Sequence, residues 1–211
     1  MKTLFVIPEI RLDGNPSNIP FWAGILASII QQKNGDVAIL DLNALRMNHG
    51  GRLVPSKIIA EEIASEKWDI IGIGGLTTTY SRIKSLAPLI RKHSPDSIFI
   101  AGGGWCSYNP TEILQLVPEL DLICIGEGEE TFSEFYDIVS AGQKDFEDVN
   151  GLCIRENDNF KFTQPRALIS NLDTVPYPAY DLLELDIYFR YSSLPYSVES
   201  FNSKRRLSTV W

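Results

Sequence analysis

Short apolar segments alternate with amphipathic segments five times between residues 1 and 142, and this alternation narrows the choice of fold more than any other feature. The apolar segments are Leu4–Ile7, Val37–Leu40, Asp69–Ile73, Ser97–Ala101 and Leu122–Ile125. Strands this apolar are usually buried on both faces, which indicates parallel pairing with a helix layer on each side of the sheet. We therefore expect an α/β fold in which each strand is followed by a helix.

The amphipathic segments carry the usual signals of helices. Helices are predicted from Pro20 to about Lys33, from Pro55, around Ile83–Ile90, from Asn109-Pro110 and around Phe132–Val139. Because crossover connections are right-handed, few topologies remain. The sequence predicts a flavodoxin-like, doubly wound sheet of five parallel strands in the order 2-1-3-4-5.

The pattern changes after Gly142. Gly151–Arg155 and Phe160–Thr163 flank Glu156–Asn159 and predict a β-hairpin. Residues 164–179 contain three prolines and predict an extended linker. Residues 180–211 are rich in aromatic residues, have no clear period and end on an apolar, strand-like run. We therefore expect three parts: an α/β domain (1–142), a hairpin with a linker (143–179) and the beginning of a further, truncated domain (180–211).

Two glycine clusters follow neighbouring strands of the predicted sheet. Gly74-Gly75 follow the third apolar segment, and Gly102–Gly104 follow the fourth. Parallel α/β sheets bind ligands at the carboxyl ends of their strands, next to the point where the strand order reverses. Glycine has no Cβ, so it lets a large flat ligand approach the backbone. The two clusters therefore predict a broad ligand that lies across this edge of the sheet.

Composition restricts the class of ligand. The 211 residues carry a formal net charge of −8, whereas proteins that bind nucleic acid usually have an excess of Lys and Arg. No apolar run reaches the roughly 18 residues of a membrane-spanning helix, so we expect no membrane span and a cytoplasmic protein. Cys106, Cys124 and Cys153 form no C-x-x-C pair, which argues against a disulfide scaffold and against a zinc or iron–sulfur site in this chain.

The familiar phosphate-binding motifs are not found where they would be needed. A dinucleotide fingerprint requires glycines at fixed offsets after the first strand, but the loop Pro8–Pro16 contains a single glycine, and no G-K-[ST] loop occurs. A phosphoacceptor receiver domain needs a carboxylate after the third strand, which here ends in Gly-Gly. Two alternatives stay open: a nucleotide- or flavin-binding domain of the same topology, and a non-catalytic docking module that has lost its cofactor.

Three polar residues fall at the same edge of the predicted sheet. Asp41 closes the second strand and is interpreted as a helix-entry or loop carboxylate. Glu127 lies between two glycines, where its carboxylate is placed to accept hydrogen bonds from amides of a ligand. His49 lies in the loop after the second strand and is an open candidate for a ligand contact. No catalytic residue is assigned.

Three further segments carry a family resemblance. They are Ile100–Gly104 with Pro110 shortly after, Asp121–Thr131, and a linker run from Pro165-Arg166 through Asn171-Leu172-Asp173 to Pro178. The last two are the more specific, and the resemblance extends over nearly the whole chain. With them, the sequence resembles the N-terminal cobalamin-binding domain of the cobalamin-dependent radical S-adenosylmethionine (SAM) enzyme family.

The resemblance implies that the chain is one part of a longer enzyme. In that family the linker joins the cobalamin domain to a radical SAM barrel with a C-x-x-x-C-x-x-C motif, which this sequence lacks. SAM and a 4Fe-4S cluster are therefore implied only for a missing downstream domain of the same polypeptide. The implied activity is that of a methyltransferase or a related iron–sulfur oxidoreductase acting on a small-molecule substrate.

The resemblance also implies base-off cobalamin with no protein histidine on the metal. Cobalamin domains of the methionine-synthase type carry D-x-H-x-x-G in the first loop, whereas the loop here contains Asp13-Gly14-Asn15-Pro16. Glycines would make room for the corrin and its nucleotide tail, while hydroxyl and carboxylate groups would hold its amides. The candidate cofactor-binding residues are Gly74, Gly75, Leu76, Thr77, Thr78, Thr79, Gly102, Gly103, Gly104, Gly126, Glu127 and Gly128. No metal ligand is assigned.

Overall fold

One mixed sheet runs through the computed structural model, which describes residues 1–11, 14–16, 18–157 and 159–191. Its strands are β1 (Lys2–Ile7), β2 (Asp36–Asp41), β3 (Ile70–Gly74), β4 (Ile98–Gly102), β5 (Leu122–Cys124), β6 (Leu152–Glu156) and β7 (Asn159–Phe162). They lie in the order β2-β1-β3-β4-β5-β6-β7. The first five strands pair in parallel, so the predicted α/β class and the 2-1-3-4-5 order are confirmed.

The predicted hairpin is present and continues the sheet. β6 pairs antiparallel with β5, and β7 pairs antiparallel with β6. The sheet of the described residues therefore has seven strands instead of the five expected. A hairpin pattern in a sequence does not reveal what the hairpin packs against. Here it covers the edge of β5, whose N–H and C=O groups would otherwise lack strand partners.

Helices cover both faces of the sheet. They are α1 (Phe21–Gln32), α2 (Leu42–Asn48), α3 (Ser56–Ala64), α4 (Tyr80–His93), α5 (Gly104–Ser107), α6 (Pro110–Leu116), α7 (Glu129–Ser140) and α8 (Leu185–Tyr191). Residues of α3, α4 and α6 join the apolar cluster on one face, and residues of α1 and α7 join the cluster on the other. Successive strand residues point to opposite faces, so Val6 belongs to the first cluster and Phe5 to the second.

Three short helices, α2, α5 and α8, are not among the predicted ones. Asp41 explains α2, because its carboxylate accepts hydrogen bonds from the backbone N–H groups of Asn43 (2.9 Å) and Ala44 (3.3 Å). This is the geometry of a helix N-cap, so the interpretation of Asp41 as a helix-entry carboxylate is confirmed. α5 begins at Gly104, inside the second glycine cluster.

The proline-rich linker is attached to the rest of the fold at several points. Arg166 pairs with Glu130 of α7, and the backbone N–H of Ala179 donates to the carbonyl of Gly24 in α1 (2.9 Å). The hydroxyl of Tyr188, in α8, donates to the carboxylate that caps α2 (2.5 Å). The segment thus crosses from α7 over α1 to the β2 edge of the sheet.

The last predicted part, residues 180–211, is described only as far as Tyr191; residues 192–211 lie outside the described residues. None of the helices in the described part of the chain is long and apolar enough to cross a membrane.

Candidate functional site

A cavity of about 430 Å³ opens at the carboxyl edge of the sheet. It lies on the face covered by α1 and α7, and its walls come from β1, β3, β4 and β5 and from the loops that follow them. Pockets that bind small molecules commonly measure about 300–1,000 Å³. Both the size and the position are those of a ligand site in a parallel α/β sheet.

Ten of the twelve candidate residues line this cavity. The other two, Thr77 and Thr78, are exposed in a 3-10 turn between β3 and α4. Thr79 is buried and lines the cavity, but its hydroxyl donates to the carbonyl of Leu76 (2.7 Å). The three threonines therefore do not present one row of free hydroxyl groups.

The first glycine cluster is filled by the protein itself. A Cβ added at Gly74 would lie 2.8 Å from the ring of Trp22, and one added at Gly75 would collide with the hydroxyl of Thr79. These glycines thus admit side chains of α1 and of the 3-10 turn. The Cβ positions of this cluster are thus taken by protein side chains, while Gly74 and Gly75 still line the cavity, and their contact with a ligand stays a prediction.

The second glycine cluster is open. A Cβ at Gly102 would meet its nearest atom, in Cys124, at an ordinary 3.8 Å, and one at Gly104 would meet no atom within 4 Å. Gly103 differs, because its φ of 98° is disfavoured for other residues and a Cβ there would lie 2.9 Å from the carbonyl oxygen of Gly75. Gly103 is therefore required by the backbone, whereas its two neighbours leave space.

Glu127 lies at the mouth of the cavity beside the linker. Its Oε2 atom accepts a hydrogen bond from the backbone N–H of Ile169 (2.6 Å). One oxygen of the carboxylate is thus engaged by the chain, and the group holds the linker against the turn after β5. Gly126, just before it, has a φ of 77°, and a Cβ added there would meet no atom within 4 Å. A residue other than glycine would therefore have a strained backbone at Gly126, although there is space for its side chain.

Three aromatic residues form the inner wall and were not among the predicted site residues. The rings of Phe5 and Trp22 meet edge to face with centroids 5.8 Å apart, and those of Phe5 and Phe132 lie 5.4 Å apart. A signal for Phe5 was available, because the alternation along β1, β3 and β4 places Phe5, Gly74 and Ile100 on one face of the sheet. Trp22 and Phe132 come from helices, where strand alternation gives no such signal.

The loop after β1 is held by side chains from two other elements. The buried carboxylate of Glu9 accepts two hydrogen bonds from Arg82 of α4, of 2.7 and 3.0 Å. The amide of Asn43 in α2 donates to the carbonyl of Pro8 (3.1 Å) and accepts from the N–H of Ile10 (3.0 Å). Pro8 and Ile10 line the cavity, so this wall is held in place by contacts from outside the site.

The three cysteines are buried and separate. Cys124 lines the cavity, and burial raises the pKa of its thiol to about 12. Burial also raises the pKa of Cys153, to about 11, and that of Cys106. Within the described residues, no group of three His, Cys, Asp or Glu side chains is arranged to hold a metal ion.

A family model for the B12 binding domain matches residues 16–136, more than half of the chain. The chain belongs to the B12-binding domain family. The match spans α1 to α7 and therefore includes the open glycine cluster and most of the cavity wall. The resemblance stated from the sequence is thereby confirmed for this domain, and a nucleotide- or flavin-binding assignment is not favoured.

The names of two curated relatives give two different activities for those proteins. A Pyrococcus horikoshii protein described as an uncharacterized methyltransferase is 29% identical over 202 residues, which cover 94% of this chain and 42% of the relative. The anaerobic magnesium-protoporphyrin IX monomethyl ester cyclase of a Synechocystis species is 28% identical over 157 residues, covering 74% of this chain and 30% of the cyclase. The chain thus spans less than half the length of these relatives.

Solved structures support the fold. The cobalamin-dependent SAM radical enzyme OxsB, solved with aqua-cobalamin and SAM bound, superposes with a TM-score of 0.72 at 21% identity and covers 90% of this chain and 25% of OxsB. The radical SAM methyltransferase TsrM from Kitasatospora setae, solved with cobalamin and a [4Fe-4S] cluster, gives a TM-score of 0.67 at 18% identity, covering 83% of this chain and 31% of TsrM. The B12-binding domain described here is similar in fold to parts of both enzymes.

Proposed function

We propose that this domain binds cobalamin in the base-off form, with the nucleotide tail in the cavity and the corrin ring over the carboxyl edge of the sheet. The residues proposed to hold it are Gly74, Gly75, Leu76, Thr79, Gly102, Gly103, Gly104, Gly126, Glu127 and Gly128, with Thr77 and Thr78 on the outer rim. Bound cobalamin supplies a cobalt centre that can carry a methyl group.

The observation that carries this proposal is the open glycine cluster beside the cavity. No side chain or backbone atom occupies the room above Gly104, and the contact at Gly102 is ordinary. A corrin is wide and carries amides around its edge, so it needs backbone that can be approached closely along with a deep slot for the tail. The residues present fit such a group.

The proposed absence of a protein histidine on the metal is supported by the positions of the histidines. The chain has two, His49 and His93. His49 follows α2 and His93 ends α4, and neither lines the cavity. We therefore propose that no histidine of this chain coordinates the metal of the bound cofactor.

We further propose that the domain works within a longer enzyme of the division predicted above, in which residues 180–211 lead into a radical SAM domain that binds SAM and a 4Fe-4S cluster. The lengths of the relatives support this, since the chain covers 42% of one and 30% of another. Methyl transfer and ring closure on a small-molecule substrate are both represented among their names.

A titration tests the binding proposal. The purified chain is mixed with hydroxocobalamin or with flavin mononucleotide and passed through gel filtration. We expect cobalamin to co-elute with the protein and to show a base-off absorption spectrum, and we expect flavin to be left behind. Protein that emerges colourless after incubation with excess cobalamin would overturn the proposal, and retention of flavin alone would favour the nucleotide-binding alternative.

A matched pair of glycine variants tests the location. Gly104→Val adds a side chain where no atom lies within 4 Å, so we expect an unchanged melting temperature and cobalamin binding weakened by about tenfold or more, because the added bulk takes ligand space. Gly14→Val is the control, since Gly14 lies outside the cavity lining and a Cβ there makes only ordinary contacts. Equal affinity for both variants would contradict the assignment of the site.

A further inference from the structure

The inner part of the cavity is built almost wholly from apolar side chains. Phe5, Ile7, Ile100 and Phe132 are buried with at most 4% of their surface exposed. Trp22 and Leu26 of α1 complete the wall. Three of these residues are aromatic, and Phe5 is in ring contact with the other two, which makes a slot suited to a flat ring.

The polar side chains of the lining offer this slot few hydrogen-bond partners. The hydroxyl of Thr79 is used by Leu76, and one oxygen of Glu127 is used by Ile169. Asn18 is exposed and Glu129 is half-buried, so both keep access to water. The inner wall therefore receives little hydrogen-bonding capacity from these four side chains.

Two other polar groups of lining residues are the thiol of Cys124 and the indole N–H of Trp22. The thiol of Cys124 is buried and uncharged at neutral pH. The indole N–H of the half-buried Trp22 has no hydrogen-bond partner among the residues that the structure describes, and it is not among the buried atoms that lack one. A single donor can satisfy only one acceptor, so these two groups add little hydrogen-bonding capacity to the lining.

We infer that the cavity selects cobamides whose tail base is an aromatic ring with few polar atoms, such as dimethylbenzimidazole, over cobamides with a purine base. The inference rests on the proposed function. A benzimidazole has one free ring nitrogen and an apolar edge. A purine such as adenine has several ring nitrogens and an exocyclic amine, and the side chains of the lining offer these groups fewer partners than the water they would lose.

Three ligands test the inference on the same protein. Hydroxocobalamin carries dimethylbenzimidazole, the adeninyl cobamide carries a purine, and cobinamide carries no base. Kd values are measured from tryptophan fluorescence and from the visible spectrum. We expect hydroxocobalamin to bind about tenfold or more tightly than the adeninyl form, because at least one polar group of the purine stays unsatisfied, and we expect cobinamide to bind more weakly than hydroxocobalamin.

The outcomes separate the inference from the function on which it rests. Equal Kd values for the two complete cobamides, or tighter binding of the adeninyl form, would overturn the inference and leave cobalamin binding in place. Binding of cobinamide as tight as that of hydroxocobalamin would also overturn it, because the cavity would then not hold the base. Failure of all three to bind would overturn the proposed function itself.

A variant of the wall sharpens the test. Leu26→Gln places an amide on a half-buried position of the lining, so we expect the preference for hydroxocobalamin over the adeninyl cobamide to shrink severalfold. Leu53→Gln is the control, because Leu53 is exposed and outside the lining. A preference that Leu26→Gln leaves unchanged in folded protein would contradict the assignment of selectivity to this wall. If the variant does not fold, the Kd values of the three ligands on the unaltered chain still decide the inference.

Discussion

The two glycine clusters look alike in the sequence and are used in opposite ways. At the end of β3, the room that Gly74 and Gly75 provide is taken by Trp22 and Thr79. At the end of β4, Gly102 and Gly104 leave room that no side chain takes. The two clusters lie side by side, since Gly74 pairs with Gly102 in the sheet. A glycine run therefore marks a close approach, but what approaches is decided by elements distant in sequence.

The two clusters also form different parts of the site. The filled cluster brings the indole of α1 close to the sheet and so builds the inner wall of the cavity. The open cluster forms the mouth, where Gly103 makes the turn into α5. Bulk added to the first cluster should therefore damage the fold, and bulk added at Gly102 or Gly104 should damage binding.

The largest expected effect tests whether water reaches the cavity wall at Cys124. Burial raises the pKa of Cys124 to about 12, so at pH 8 the reactive thiolate is rare. We expect alkylation of Cys124 by iodoacetamide at pH 8 to be about a hundredfold or more slower than in the urea-unfolded chain, and to speed up as the pH rises toward the raised pKa. Mass spectrometry of the labelled peptide measures the rate. Labelling as fast as in the unfolded chain would mean that the inner wall is wet.

The next effect compares valine at paired positions of the two clusters. Gly74→Val forces the ring of Trp22 to move, and we expect it to lower the free energy of unfolding by about 1–3 kcal/mol. Gly102→Val meets only an ordinary contact at Cys124, so we expect a change within about 0.5 kcal/mol. Urea unfolding measures both. Similar losses in the two variants would remove the distinction between a filled and an open cluster.

The smallest effect compares Gly103, whose backbone conformation favours glycine, with Gly104, which has free space around it. Gly103→Ala places a Cβ at a φ of 98° and against the carbonyl of Gly75, and we expect a loss of about 1–2 kcal/mol. Gly104→Ala lies at the start of α5 with free space around it, so we expect no loss or a gain of about 0.5 kcal/mol. Thermal unfolding of the pair decides, and a stable Gly103→Ala variant would show that the turn tolerates a side chain.

The fold could be predicted further than the site. Five apolar segments and the helical spacings between them are local signals, and they sufficed for the class and the strand order. α2 was missed because its signal is a single capping carboxylate, Asp41, followed by only seven helical residues. The addition of β6 and β7 to the sheet was missed because edge pairing is a long-range contact that a hairpin pattern does not encode.

The site was predicted at its mouth and missed at its inner wall. Glycines at strand ends are visible in a sequence, and ten of the twelve candidate residues do line the cavity. The hydroxyl groups of Thr77, Thr78 and Thr79 do not form one row, because the 3-10 turn leaves two exposed and engages the third, and their contact with a ligand stays a prediction. Trp22 and Phe132 were not predicted as site residues, because aromatic residues on amphipathic helices usually belong to the core.

The hairpin and the linker have a practical consequence for anyone who shortens this chain. A fragment that stopped at residue 142 would leave β5 with an unpaired edge and would strip Pro178 and Leu183 from the surface of α1 at Gly24. Bare strand edges recruit other molecules, so such a fragment should self-associate. A shortened chain that keeps these contacts needs α8 as well, because Tyr188 of that helix bonds the carboxylate that caps α2 at the opposite border of the sheet.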